Sequence, residues 1–507
     1  MASAKSSAPP DTRLIVCGDT RRQFLHRSLV FSAAAIGAPL LRSAESAKHD
    51  TAVIAIGSRR ELLVDDFLIG SLNGAALTLH KPEARDVVLV CDQPWEGNTS
   101  AYYTLFEDEG RFRIYYRGQH YDEKTKKPTH PEFTCYAESR DGLKWEKPAL
   151  GLFEFEGSKQ NNILWAAAEG GHNFTPFKDG NPACAPDARY KAVATGTTLV
   201  GGKKKSCLHA YQSADGIRWS RISDAPLITA GAFDSQNLVF WDALRGEYRA
   251  YWRIFTAGHT DERGWKPEGQ RAIRTAVSKD FVTWERQADL QYVSSPPEHL
   301  YTNAVQPYFR APHLFIGFPT RFQPAHQQVE PVFMTSRDGV LFNRWSDALI
   351  PITAPKDRDG NRSNYMTRGL LQLPGHDREL SVYATEAYYA GPGSRVRRFV
   401  YRTDGFVSAR AGVEGGALVT KPITFTGAKL SLNIASKGET RVELQDADGK
   451  PLAGFASADC TPIAGDFIEH TVAWKGGDLS PLAGRPVRVR FDLKDADLFA
   501  FQFQPKT

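Results

Sequence analysis

The chain has 507 residues, 41% hydrophobic and 24% charged, enough for more than one core and too ordinary in composition for a disordered or fibrous protein. Its net charge of +5 includes +3 from residues 1–47, which leaves +2 for the rest. No single-sign run stands out beyond "KKK" at 203–205, which argues against a nucleic-acid partner.

The first segment resembles an export signal. Arg21 and Arg22 are followed by Phe24, Leu25 and the apolar run "LVFSAAAIGAPLL" (29–41), the pattern of a twin-arginine leader. That run is too short to span a bilayer. Cleavage within "SAESA" (43–47) gives a signal peptide over 1–47 and a bacterial protein that is periplasmic or secreted, with no membrane attachment after signal removal. The five cysteines beyond it (Cys91, Cys135, Cys184, Cys207 and Cys460) are odd in number and lack CxxC spacing, so neither a zinc site nor a disulfide framework is read from them.

Residues 48–85 hold "ELLVDDFLI" (61–69) and one further strand-like run, expected to cover a face or complete a ring. A repeat begins after them. "ESRDGLKW" (138–145) reads as a strand, an Asp-Gly turn and a second strand, because glycine tolerates positive φ and aspartate caps the turn. Copies follow as "QSADGIRW" (212–219), "VSKDFVTW" (277–284), "TSRDGVLF" (335–342) and, more loosely, "YRTDGF" (401–406), with the Asp at 141, 215, 280, 338 and 404. Asn98, Asn173, Asn237, Asn303 and Asn364 precede these turns by 43, 42, 43, 35 and 40 residues. Between the two markers run hairpins such as "NTSAYYTLFEDEGRFRIYYRG" (98–118) and "NLVFWDALRGEYRAYWRI" (237–254). Four antiparallel strands per module, repeated five times, predict a five-bladed β-propeller over 48–410. Short alternating strands without either marker then predict a C-terminal β-sandwich over 411–507.

The asparagines mark where the innermost strands start, so their neighbours should share one mouth. That rim reads "PWEGN" (94–98), "GGHN" (170–173), "FDSQN" (233–237), "EHLYTN" (298–303) and "NRSN" (361–364). It supplies three acids, Glu96, Asp234 and Glu298, as candidate catalytic carboxylates, because glycoside cleavage needs one acid to protonate the leaving oxygen and another to attack or activate water. Trp95, Asn98, His172, Asn173, Gln236, Asn237, His299, Tyr301, Asn303 and Arg362 are the candidate substrate contacts. The competing reading is that the acids cap turns and pair with arginines such as Arg253 or Arg321. No cofactor is called for. The central channel could hold a structural calcium on His172 or neighbouring oxygens, although no spacing requires one.

Five Asp-Gly blades, "FDSQNLVFWDALRGEYRAYWR" (233–253) and a trailing sandwich resemble the five-bladed propeller glycosidases of glycoside hydrolase families 32 and 43, and secreted planctomycete-type proteins of that group. The resemblance is mostly architectural, from about residue 60 onward. Family 32 carries "WMNDPNG", "RDP" and "EC" motifs. Here "PWEGN" makes Glu96 a loose counterpart of the nucleophile, "PFKDGNP" makes Asp179 a displaced counterpart of "RDP", and Asp234 stands where the acid/base glutamate would be; no "EC" occurs. The resemblance implies a secreted glycoside hydrolase acting on a poly- or oligosaccharide; the alternative is a non-catalytic carbohydrate-binding or scaffold propeller. A sialidase relative would need six blades, an arginine triad at the mouth and a tyrosine nucleophile.

Overall fold

The computed structural model describes residues 52–506 apart from 168–169, 294 and 353–363; the expected export signal and Arg362 lie outside the described residues. The chain is all-β and winds into five blades. Blade one runs from the axis outward as Ala101–Asp108, Arg111–Gly118, Phe133–Ser139 and Ile163–Trp165. Blade two is His172–Lys178, Tyr190–Val200, Lys203–Ser213 and Ser220–Arg221; blade three is Leu238–Asp242, Glu247–Asp261, Gly264–Ser278 and Glu285–Asp289. Blade four comprises Gln306–Tyr308, Ala311–Gly317, Met334–Ser336 and Leu341–Arg344, with Gln291–Val293 added in parallel at its edge. In blade five, Met366 and Leu371 bridge to Ala384 and Ser381 of Glu379–Glu386, which pairs with Arg395–Arg402. Its outermost strand is Glu83–Val90, from ahead of blade one. The ring therefore closes by a pairing between distant parts of the sequence, which removes a free sheet edge.

The second strands are buried along most of their length, as in "RFRIYYRG", because blades stack face against face. That double cover explains their continuous aromatic and aliphatic runs where a one-sided sheet would alternate.

The Asp-Gly repeats sit at the seams between blades. Ser139 Oγ donates to Asp141 Oδ1 (2.9 Å), which also accepts from the backbone N–H groups of Leu143 and Lys144 (both 2.8 Å). Ser213/Asp215, Ser278/Asp280 and Ser336/Asp338 repeat this set. The next carbonyl accepts a tyrosine hydroxyl from the preceding blade: Tyr383 to Gly142 (2.9 Å), Tyr115 to Gly216 (3.0 Å) and Tyr251 to Gly339 (2.9 Å). Trp219 and Trp284 pack edge-on against Phe174 and Phe281 beside these turns. Gly142 has φ +72°, and a Cβ there would lie 2.4 Å from Leu373 Cδ2. Gly142→Ala is accordingly expected to cost roughly 2 kcal/mol, read from the urea midpoint; an unchanged midpoint would refute the seam assignment.

The fifth copy departs from this pattern. Asp404 is fully buried and accepts from Tyr308 Oη (2.5 Å), Arg310 Nε (3.0 Å), Arg60 Nη1 (3.2 Å) and Asn433 Nδ2 (3.3 Å). It is a hub joining blade four, the turn of blade five, the early strands and the tail.

The tail folds around a core of its own. Lys429–Gln445 serves two sheets: its first half pairs with Ala496–Gln504 and Ile463–Thr471, and its second half pairs with Arg488–Leu493. Leu430, Leu432, Val442, Leu444, Phe491, Phe501 and Phe503 fill the space between, together with Leu63 and Leu68 from the early chain. Those early residues are present because Ile54–Gly57, Arg60–Leu62, Ile69–Asn73 and Ala75–Leu79 pair with tail strands, not with a blade. Of the N-terminal strands, only Glu83–Val90 serves ring closure. All five described cysteines are free thiols.

Glu61 joins the two parts electrostatically. Burial pushes its carboxyl up, but the His313 hydrogen bond and the Arg337, His313 and Arg59 charges outweigh burial and hold it at about 2. A depressed carboxylate pKa contributes stability above the unfolded value near 4.5 and loses it as pH falls towards 2. Glu61→Gln should therefore flatten the stability loss across pH 4.5 to 2 in urea titrations. An unaltered acid limb would count against this pairing.

Candidate active site at the propeller mouth

The inner strands of blades one, two and four begin with a residue in left-handed conformation, Tyr102 (φ +58°), Asn173 (+55°) and Ala304 (+44°). Register breaks accompany the first two. Such bulges turn a side chain out of the pleat and end the pairing at a rim. Gln236 of blade three crosses to blade one, donating to the carbonyls of Tyr102 (3.2 Å) and Tyr103 (3.1 Å) and to Thr104 Oγ1 (3.0 Å). Those blades are not neighbours, so Gln236 spans the axis and plugs it below the mouth.

Two of the three candidate catalytic acids are structural. Glu96, with no exposed side-chain surface, accepts from Tyr116 Oη (2.5 Å), Lys147 Nζ (2.7 Å) and the Gln93 N–H (3.1 Å) inside blade one. A carboxylate so enclosed cannot meet a sugar. Glu298 is clamped by Arg321 (2.9 Å) and Arg344. Asp234 pairs with Arg253 but keeps 53% of its side chain exposed, and only this acid retains an open carboxylate. The arginine pairing anticipated for Arg253 and Arg321 is thus what the structure shows. Asp179 is likewise enclosed, held by Lys191 and Tyr248 Oη (2.7 Å).

The candidate contacts divide in the same way. Trp95 donates to Asn162 Oδ1 (2.6 Å) and packs on Phe155, within blade one. Asn98 exchanges bonds with the Tyr121 backbone (2.9 and 3.1 Å), Asn303 Oδ1 accepts from the Val305 N–H (3.2 Å), and Asn237 Nδ2 caps Phe233 and Ser235. These asparagines are buried and shape loops. Asn173, 1% exposed, has neither side-chain polar atom partnered. His299 Nδ1 accepts from the Arg271 N–H (3.2 Å). His172 Nδ1 meets Glu132 Oε2 at 2.5 Å. No group of three or more His, Cys, Asp or Glu side chains converges among the described residues.

Tyr301 leads to the part of the mouth that the sequence reading missed. Its ring lies under Arg253 (4.4 Å) and Arg271 (5.3 Å) and meets Tyr365 at 5.9 Å. Tyr365 contacts Tyr102 (5.7 Å) and Tyr388 (5.5 Å), and Arg117 lies over Tyr102 at 4.9 Å while donating to Tyr388 Oη (3.1 Å). Arg117 also pairs with Glu132 (3.3 Å). Burial raises the Glu132 carboxyl, but His172 and Arg117 override burial and hold it at about 2. The assembled mouth is a tyrosine cluster with Glu132 beside Arg117 and Asp234 beside Arg253. A repeated signal existed: "YYR" (115–117) and "YWR" (251–253) lie on the second strands of blades one and three.

In two depressions elsewhere among the described residues, acids are paired with arginines. Arg111 occupies Glu138 beside the Asp141 turn, and Arg441 and Arg490 occupy Glu439 and Asp492 on the tail.

No family model and no curated protein matches the chain. Similar solved structures include an N-acetylgalactosamine deacetylase from F. plautii in complex with blood group B trisaccharide (14% identity, 66% of this chain and 96% of that chain, TM-score 0.42). A beta-1,2-mannobiose phosphorylase from Listeria innocua gives 11%, 64%, 96% and 0.43 in the same order, and an endo-arabinase from Bacteroides thetaiotaomicron gives 11%, 63%, 99% and 0.39. Likeness at this level does not distinguish among such chemistries.

Proposed function

We propose that the protein is a glycoside hydrolase-like enzyme, exported by its twin-arginine-type leader, that acts on a poly- or oligosaccharide entering the propeller mouth. The observation that carries this reading is Asp234, a half-exposed carboxylate beside Arg253 and Tyr301; Glu132, as enclosed as Glu298 and held by Arg117 and His172, is the candidate second acid. Tyr102, Tyr365 and Tyr388 are buried, so the partly exposed Tyr301 is the ring of the cluster placed to meet a sugar. Asp234 is assigned proton transfer to and from the glycosidic oxygen. Glu132 stays ionised, which suits a nucleophile or base and not an acid.

The test is a screen of purified protein against fructans, arabinans and mixed glycans. Asp234→Asn and Glu132→Gln should each lower kcat by about 10²-fold or more. Glu96→Gln and Glu298→Gln should lower thermal stability while the folded fraction keeps its turnover. Full activity in Asp234→Asn would defeat the assignment. Binding without turnover in the wild type would favour the non-catalytic carbohydrate-binding reading, which the arginine pairing of Asp234 and Glu298 supports.

A further inference from the structure

Three guanidinium groups at the mouth face two carboxylates. Arg117 is matched by Glu132 and Arg253 by Asp234, whereas Arg271 has no acidic partner among the described residues. Arg271 lies instead against the rings of Phe322 (4.5 Å), Tyr301 (5.3 Å) and Phe255 (5.5 Å). A guanidinium stacked on rings keeps its N–H edge available for a planar acceptor. Its Nε is a buried donor without an acceptor, and so are Nε and Nη1 of Arg253, whose residue is only 3% exposed. The two arginines belong to adjacent paired strands, where Arg253 stands opposite Ile273 and Phe255 opposite Arg271. Nε of Arg249, Arg344 and Arg368 lacks an acceptor as well, so what sets this pair apart is the two guanidinium groups side by side with one carboxylate for the two. Burial, and then the Arg253 charge, push the Arg271 guanidinium below its usual range, more than Tyr301 and the Asp234 charge raise it.

Resting on the carbohydrate reading above, we infer that Arg271, partly exposed and with Arg253 behind it on the paired strand, binds an acidic group carried by the sugar, a uronate carboxylate or a sulfate ester. Both groups offer at least two oxygens to a fork of N–H donors. Because Arg253 also holds Asp234, the anionic substituent sits next to the open carboxylate, and the glycosidic oxygen of the same residue comes within reach of Asp234. The substrate class is therefore acidic oligosaccharides.

Calorimetric titration with trigalacturonic acid, a sulfated galactotriose and neutral galactotriose tests this. At least one acidic ligand should bind 10-fold or more tightly than the neutral one, and that preference should shrink with added salt. The two acidic arms tell carboxylate from sulfate. Arg271→Met should abolish the preference and Arg271→Lys should restore part of it, with unfolding temperatures confirming the fold. If Arg271→Met does not fold, the wild-type ratio and its salt dependence decide alone. Equal binding of acidic and neutral ligands, or a preference that survives in folded Arg271→Met, overturns the proposal. Turnover of neutral glycans without acidic preference would leave the enzyme reading intact and remove this one. Acidic binding without turnover would do the reverse.

Discussion

Asp404→Ala is expected to destabilise the protein by about 3–5 kcal/mol, the cost of breaking a buried ionic cluster from one side. The substitution strips the counter-charge from Arg60 and Arg310 together and leaves the Tyr308 hydroxyl without its acceptor. Glu469 cannot replace it. That carboxylate is 52% exposed, lies 2.7 Å from Arg60 and 3.7 Å from Arg310, and is screened by solvent. Asp404→Asn should cost less, because an amide oxygen still accepts from Tyr308 and one arginine. Urea unfolding of the three proteins gives the ranking directly. A midpoint for Asp404→Ala within error of the wild type would show that the hub contributes nothing net.

Arg368→Met should act in the opposite direction. Arg368 stands on the inner run of blade five, bridges to Thr104 of blade one, and has no carboxylate partner among the described residues. Burial alone pushes its guanidinium below its ordinary range, to about 10. A depressed base is a destabilising one. Below about pH 10 the folded protein bears the whole penalty of the buried charge, and that penalty lifts only as pH rises above about 10 towards the ordinary arginine range. The shift corresponds to roughly 3 kcal/mol at neutral pH. An apolar side chain of similar length should recover much of it, raising Tm by a few degrees in a chain of this size. A Tm below that of the wild type would mean that the charge is compensated in solution.

The blades were legible because each repeats two local signals, an asparagine before a strand and an aspartate turn after it, Asp-Gly in four copies and Asp280-Phe281 in the third. In the first four copies short-range backbone chemistry sets the turn, whereas Asp404 of the fifth is taken up by long-range contacts. The tail was legible from the alternation of its short strands, without either marker. What local signals do not encode is which distant strand completes a sheet. The pairing of Val407–Ala411 with Ala75–Leu79 spans more than three hundred residues and leaves no mark in either stretch. The site divided likewise. Rim position was readable from the asparagines, but the fate of a carboxylate depends on which cation the fold brings to it. Lys147 reaches Glu96 from 51 residues away and Arg344 reaches Glu298 from 46, so neither pairing shows in a rim motif. Glu132 lay outside the motifs because it enters the mouth from the loop before a third strand, not from the start of a first one.

Glu83–Val90 closes the last blade, and the strands before it complete the tail sheets. The strands between residues 54 and 90 therefore find their sheet partners only in the chain beyond blade four, although Glu61 and Asp65 already meet Arg337 of that blade. Removing either set of strands takes partners from the other, so the early and late segments fold as one unit.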